Sequence, residues 1–397
     1  MAKDYYAASM DLHRKVRGKL STESKVALKT KDDLSIAYTP GVAEPCRAIA
    51  KDPEAAFDLT IRANTIAVVS DGSAVLGLGN IGGPAALPVM EGKALLFKEF
   101  GGVNAFPICV HTQDPKKVAD IVCEIAPNFG GINLEDIASP NCFEVERILK
   151  EKLDIPVFHD DQHGTAIVVM AALINACKVT GKNMKDLNVA FSGAGAAGLA
   201  ITRFLMGHGR KPDAYVVNDI VLADSKGIVS RDRTDLNWAK AEIAKITNKG
   251  NKTGTLKSAM EGADAFIGVS VKGTVTRDMV AAMNQGAIVL AMANPEPEIW
   301  PDDALAAGAR IVGTGRSDLP NQINNVLAFP GVLRGALDAR ATQINEEMKL
   351  AAALAIANHI QKPTADQIVP SALDRSVGPT VAKAVTDAAK KTGVIRK

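Results

Sequence analysis

Two acidic pairs carry the strongest chemical signal in this 397-residue sequence. Glu135-Asp136 follows an apolar segment at 131–134, and Asp160-Asp161 follows another at 155–159. A helical pattern at 141–152 separates them, so the two segments read as neighbouring parallel strands of a βαβ unit. Both pairs then leave the carboxyl edge of one sheet, where α/β proteins place ligands. Carboxylates converging there repel one another, by roughly 4 kcal/mol per pair at 4 Å and an intermediate dielectric. A divalent cation removes the conflict, and an all-oxygen donor set suits a hard ion, Mg²⁺ or Mn²⁺. Helix capping competes with this reading, because Asp136 and Asp161 both precede helical segments and Asp is a favoured N-cap. Capping explains one aspartate of each pair and leaves the doubling unexplained. His159 and His163 flank the second pair; a ligand role is open to each, although a satisfied histidine is the commoner case.

A second constellation is Gly193-Ala194-Gly195-Ala196-Ala197-Gly198. It follows an apolar strand at 189–191 and opens a helix at 199–206, the context that a dinucleotide fingerprint requires. Gly193 permits the tight turn, Gly195 admits a pyrophosphate to the backbone, and Gly198 permits close helix–strand packing. The phosphates would meet free N–H groups at the helix N-terminus. The acid for the adenosine ribose is Asp219, which has the better spacing, or Asp224, which begins a better strand-exit turn. Lys226, Arg231 and Lys240 lie close by in sequence and are available to a 2′-phosphate, or are plain solvated charges.

Weaker candidates lie on either side. Tyr38 sits in the stiff turn Tyr38-Thr39-Pro40-Gly41-Val42. Lys93 interrupts the apolar run 85–97; buried, its pKa would fall towards that of a base, while a snorkelling surface lysine fits equally well. Asn294-Pro295 and Asn324-Asn325 follow apolar segments and offer neutral amides to a carboxylate, or serve as turn residues.

The rest of the chain is read for what must hold these groups. Lys plus Arg total 46 against 44 Asp plus Glu, so the charge gives no ground for nucleic acid or a membrane surface as partner. The basic C-terminal residues read as a solvated tail. Aromatic residues are only 4%, so Ala, Val, Ile and Leu fill the interior, which suits helices on parallel sheets. Five cysteines, an odd number without CxxC spacing, read as reduced thiols in the cytoplasm. The charged N-terminus has no signal-peptide pattern, and the apolar stretch 166–177 is too short to span a bilayer.

Expected elements are one or two short helices within 1–30, then a hairpin in which 65–70 turns through Asp71-Gly72-Ser73 into 74–78. A helix near 91–100, a strand at 104–110 and a helix at 115–126 lead to the βαβ unit. An apolar helix at 164–180 links to a second series with strands from 187 and at 214–218, 220–223, 264–269, 287–292 and 309–313. Beyond 330 the pattern is helical, chiefly at 346–361 and 378–391. The fold class is therefore α/β, with two α/β domains: an N-terminal domain with a parallel or mixed sheet (1–163) and a Rossmann-type domain (164–330). A helical segment (331–397) follows and is free to pack back on the first domain.

In order along the chain, YTPGV (38–42), SDGSAVLGLGNIG (70–82), EGKA (91–94), INLEDI (132–137), HDDQHGTA (159–166), SGAGAAG (192–198), DSKG (224–227), ANPEPEI (293–299) and NNVLAFPG (324–331) resemble the malic enzyme family in its shorter bacterial form. The resemblance spans about residues 20–390. It implies oxidation and decarboxylation of malate to pyruvate and CO₂, with hydride transfer to NAD or NADP and a divalent metal. By position it implies Glu135, Asp136 and Asp161 as metal ligands, Lys93 as general base with Asp160 as its orienter, and Tyr38 as the acid. Asn294 and Asn325 become substrate contacts, Asn294 also lying at the cofactor. Asp224 is preferred to Asp219 at the ribose because DSKG matches. A homodimer fits the family. One departure is that longer members carry an arginine after the Asp-Gly turn, where this sequence has Ser73-Ala74-Val75. The stretch from Gly209 to Asp224 is also longer than usual.

Alternatives are an oxaloacetate decarboxylase, a hydroxyacid dehydrogenase without decarboxylation, and a dinucleotide-sensing module that has lost catalysis. The last predicts substitutions among Tyr38, Lys93 and the acidic residues, and all are intact.

Overall fold

The computed structural model describes residues 4–75, 77–211 and 213–396. The chain begins with α1 (Tyr5–Val16), α2 (Lys31–Ala37), α3 (Ala43–Lys51) and α4 (Ala56–Leu59). Asp4 caps α1 by accepting from Tyr6 and Ala7 N–H, and Thr30 with Asp33 forms a capping box on α2. These caps make the helices locally self-sufficient, yet α1, α2 and α3 bury no residue.

The first sheet is built from β1 (Thr65–Ser70), β2 (Asn104–Cys109), β3 (Gly131–Leu134) and β4 (Val157–His159), with α5 (Gly83–Gly101), α6 (Pro115–Ile125) and α7 (Asn141–Lys152) as crossovers. Its order is β2-β1-β3-β4 and every pairing is parallel. β1 is buried along its whole length, as a central parallel strand should be. The expected hairpin does not form: β1 pairs with β2 and β3, and the described residues within 74–78 make no strand. Val75 makes one isolated bridge to Gly79, while Leu76 lies outside the described residues. Ala74 N–H instead donates to Asp136 O, and Ser73 Oγ accepts from Ala138 N–H, so the Asp-Gly-Ser turn straps the acidic loop.

α8 (Asp160–Thr180) follows β4 without a break. The helix expected at 164–180 thus starts four residues earlier and puts Asp160 and Asp161 in its first turn, where negative charge is favoured. At 21 residues it is long and apolar enough to cross a membrane by length and composition, unlike the shorter stretch seen in the sequence. Its apolar surface is instead buried in the protein core, against α9 (Ala196–Leu205) and α15 (Glu346–His359).

The second sheet contains β5 (Asn188–Ser192), β6 (Asp219–Asp224), β7 (Gly227–Ile228), β8 (Ala265–Gly268), β9 (Ile288–Ala291) and β10 (Ile311–Thr314), with α10 (Trp238–Ile246), α11 (Leu256–Met260), α12 (Arg277–Ala281) and α13 (Pro301–Ala306) in its connections. The order β10-β9-β8-β5-β6-β7 is parallel except for the β6–β7 pair. The chain reverses direction across the sheet between β5 and β8, the switch point at which doubly wound folds bind dinucleotides. The strand expected at 214–218 is a loop, pinned by Arg210 to Asp213, Phe204 O and Tyr215 O.

α14 (Phe329–Asp338), α15 and α16 (Val377–Thr392) make up the helical end. α14 packs on α5, and Phe329 meets Phe97 with ring centroids 4.7 Å apart. The C-terminal segment thereby returns to the first sheet.

Candidate active site

Lys93 lies inside α5, buried, with its ammonium between two acids from different strands. Its Nζ is 2.7 Å from Asp160 Oδ2 and 2.8 Å from Glu135 Oε1, and 4.3 Å from the Phe329 ring centre. The register brings these acids together. Leu134 pairs with His159, so Glu135 and Asp160 leave adjacent parallel strands at the same level.

Asp136 adopts a left-handed backbone, φ 54°, uncommon for a residue other than glycine and tolerated best by Asn and Asp. The bend lets Asp136 N–H donate to Asp161 Oδ2 at 2.8 Å. One oxygen from each of Glu135, Asp136 and Asp161 lies within 4.8 Å of the others. Capping does not explain these acids: His159 is the N-cap of α8 and Pro140 that of α7. Asn133 Nδ2 donates to Glu135 Oε2 at 2.9 Å, whereas Asp136 Oδ2 and Asp160 Oδ1 are buried with no partner among the described residues.

Four carboxylates therefore face one ammonium. Burial, with the charges of Asp161 and Glu135, pushes the Asp136 carboxyl up to about 8. Burial likewise raises the carboxyls of Glu135, Asp160 and Asp161, against the pull of Lys93. Orphaned buried oxygens and crowded negative charge fit a divalent cation held by Glu135, Asp136 and Asp161.

The expectation that burial makes Lys93 a weak acid near neutrality is not met in this arrangement. Burial lowers its pKa, but Asp160, Glu135 and Asp161 raise it by more, and the net shift is upward. Lys93 is a charged lysine as long as those acids are uncommitted.

The flanking histidines separate. His163 is a satisfied core group: its Nε2 lies 2.6 Å from Glu146 Oε1 and its Nδ1 3.1 Å from Lys349 Nζ. Burial holds its pKa down to about 4. His159 is buried with both ring nitrogens unpartnered among the described residues, 3.9 Å from Asp161 at its nearest.

Asn325 belongs to this neighbourhood. A Cβ on Gly164 would lie 1.8 Å from Asp160 Oδ1 and 3.2 Å from Asn325 Cβ, so Gly164 is the gap that lets both approach α8. The Asn325 amide makes no hydrogen bond among the described residues, whereas Asn324 is a turn residue that accepts from Val326 N–H. Asn294 is exposed beyond β9, on the second sheet, and no described contact links it to the carboxylates. Tyr38 is not brought in: it is 66% exposed at the end of α2, and its hydroxyl has no partner among the described residues.

The glycine loop has the geometry that its spacing requires. Gly193 has φ 109°, and Gly198 lies so close that a Cβ there would be 1.8 Å from Gly193 O. A Cβ on Gly195 would meet nothing within 4 Å, which leaves its face open to a ligand. Ala194 links the two glycines, and Ala196 and Ala197 open α9, whose first turn has no side-chain cap. Asp219 is at the amino end of β6, paired with Asn188, whereas Asp224 is at the carboxyl end. Gly193 N–H donates to Ala223 O, so Asp224 is the candidate beside the loop.

Asp224 is not a free acid. Oδ1 accepts from Arg233 Nη1 at 2.8 Å and Lys226 N–H at 2.9 Å, and Oδ2 accepts from Lys240 Nζ at 2.6 Å. Those bonds outweigh burial and hold its carboxyl below the usual range. Lys240 was visible in the sequence; Arg233 was missed, its only signal being a position nine residues beyond the strand-end acid. Arg231 turns away, to Lys249 O.

Two family descriptions match the chain: malic enzyme, N-terminal domain, over residues 17–120, and malic enzyme, NAD binding domain, over 162–390. The chain is 55% identical to the bifunctional malic/malolactic enzyme of Bacillus subtilis, over 98% of this chain and 94% of that protein. It is 54% identical to the NAD-dependent malic enzyme of Geobacillus stearothermophilus, over 96% of this chain and 79% of that one. The crystal structure of the malic enzyme from Pyrococcus horikoshii superposes with a TM-score of 0.91 at 51% identity, covering 96% of this chain and 88% of that one. The two family matches cover most of the sequence and the relatives align over nearly all of it, and the chain belongs to the malic enzyme family.

Proposed function

We propose that this chain oxidises and decarboxylates malate to pyruvate and CO₂ at the Lys93 cluster, with NAD or NADP as hydride acceptor. The observation that carries the reading is Lys93 held between Asp160 and Glu135 at the head of three convergent carboxylates. Glu135, Asp136 and Asp161 would hold Mg²⁺ or Mn²⁺, which when bound polarises the substrate oxygen and favours loss of CO₂. A cation held by Glu135 and Asp161 would leave Asp160 as the acid paired with Lys93. Lys93 then takes the proton of the C2 hydroxyl while Asp160 orients the amine. Asn325 and Asn294 donate amide hydrogens to substrate carboxylate. Gly193 to Gly198 seat the pyrophosphate, and Asp224 faces the adenosine ribose.

Tyr38 supplies the proton to C3 in this reading, and it does so from a second copy of the chain. Its exposed hydroxyl and the three N-terminal helices that bury nothing both call for a covering surface. Tyr5, Tyr6, Met10 and Ile36 are exposed on the same segment. The working form is then a homodimer. The domains divide as 1–163, 164–330 and 331–397, with α8 shared across the first boundary. The five free thiols suit the cytoplasm.

The test is to incubate the protein with malate, Mn²⁺ and each dinucleotide. Equal amounts of reduced dinucleotide, CO₂ and pyruvate are expected. Reduction without CO₂ would make it a plain dehydrogenase, and lactate without net reduction would match the second activity named for the Bacillus subtilis relative.

A further inference from the structure

Glu298 is fully buried in the second domain, and none of the roles above uses it. Its carboxylate meets donors from two separate loops and no cation among the described residues. Oε1 accepts from Ser270 N–H at 2.8 Å and from Ser270 Oγ at 3.2 Å; Oε2 accepts from Ala293 N–H at 3.0 Å. Ser270 Oγ also lies 2.9 Å from Ser192 Oγ, at the end of β5 next to the glycine loop. Burial pushes the Glu298 carboxyl up, and the backbone donors of Ser270 and Ala293 pull it part of the way back. Gly268 makes the space: a Cβ there would be 2.5 Å from the Glu298 carboxyl carbon.

A carboxylate buried without a counter-ion is costly. A glutamine would fill the same volume at lower cost. What it cannot do is accept at both ends, because its Nε2 would face one of the two N–H groups. The site is built for an acceptor with two oxygens, and the groups it joins are informative. Ser270 follows β8, and Ala293 follows β9 at the carboxyl edge of the sheet. Asn294 is the next residue, exposed and without a hydrogen-bond partner among the described residues. Its Nδ2 would lie 2.6 Å from a Cβ at Gly315, so the amide stands directly over Gly315, and Arg316 Nη1 donates to Pro295 O at 2.7 Å.

We propose that Glu298 is a positioning residue for the substrate: by accepting from Ser270 and Ala293 together, it locks the loop that presents the Asn294 amide to a malate carboxylate. The inference rests on Asn294 as a substrate contact. Glu298 is buried beneath this loop and acts through Asn294, the residue after its donor Ala293.

The test compares Glu298→Gln, Asn294→Ala and the double variant, reading malate KM, kcat and the dinucleotide Kd. Glu298→Gln is expected to raise malate KM about tenfold, the effect of leaving one buried donor unpaired. kcat should stay within about threefold of the parent, because the strap holds a binding contact and not the reacting groups, and the dinucleotide Kd should rise less than malate KM. In the Asn294→Ala background the same change should add little, since coupled residues are not additive. An unchanged malate KM in Glu298→Gln, or a full additive effect in the double variant, overturns the proposal. An ordinary malate KM in Asn294→Ala overturns the reading of Asn294 and the proposal with it. Should Glu298→Gln fail to fold, Ser270→Ala removes one donor and should raise malate KM about threefold, with the same coupling to Asn294.

Discussion

Lys93 Nζ lies 2.7 Å from Asp160 Oδ2, a contact that joins the middle of α5 to the first turn of α8. The acid and the lysine are 67 residues apart in sequence, and both are buried. Their pairing places one proton-carrying group at the head of the carboxylate cluster, where a substrate hydroxyl bound beside Glu135, Asp136 and Asp161 would reach it.

Substitution of Lys93 separates chemistry from binding. Lys93→Ala should lower kcat by about 10²–10⁴-fold, the usual worth of a positioned acid–base group. Dinucleotide binding, measured by fluorescence titration, should be retained because the glycine loop is on the other sheet. The variant should also be less stable, since Asp160 and Glu135 lose their buried counter-ion, a change worth about 3–5 kcal/mol. A near-normal kcat would remove Lys93 as the base.

Complementation tests the origin of Tyr38. The Tyr38→Phe and Lys93→Ala variants should each be weakly active. If each site takes Tyr38 from one copy and Lys93 from the other, subunit exchange between the two variants restores one intact site per mixed dimer. Recovery should approach about a quarter of parental activity in a random mixture with two-fold symmetry. No recovery, with exchange demonstrated by mass spectrometry, would place both residues of a site on one chain.

Much of this site was legible in the sequence, and the exceptions have physical causes. Strands 131–134 and 155–159 announce themselves as short apolar runs ending in acids, and parallel pairing follows from the helix between them. The hairpin after Ser70 was misread because an Asp-Gly-Ser turn leaves a buried parallel strand as readily as it closes an antiparallel pair. Local pattern could not reveal that Ser73 and Ala74 would strap the acidic loop. The charge state of Lys93 depends on acids 42 and 67 residues away, as Glu135 and Asp160 lie in sequence, so burial alone gave the wrong sign. Glu298 sits within a recognisable segment, but its donors come from two loops that meet only in the folded sheet.

The cations around Asp224 predict cofactor choice. Arg233 and Lys240 neutralise an acid that would otherwise repel a 2′-phosphate, so NADP should be accepted alongside NAD. Lys240→Ala and Arg233→Ala should each lower kcat/KM for NADP more than for NAD, by about tenfold in the ratio. Asp224→Ala should shift the ratio towards NADP by a similar factor. Equal losses with both cofactors would mean that the cluster merely stabilises the β6–β7 turn.

The most direct test of the account is a Mn²⁺ titration, following free ion by electron paramagnetic resonance, on the parent chain and on Glu135→Gln, Asp136→Asn and Asp161→Asn. The parent should bind one ion per chain, and chelation should abolish malate turnover. Each substitution should weaken that site by more than about 100-fold, the upper end of the loss seen for outer-shell partners. Unchanged Mn²⁺ affinity in any of the three variants, or malate turnover that persists in chelator, would contradict a cation shared by these three carboxylates.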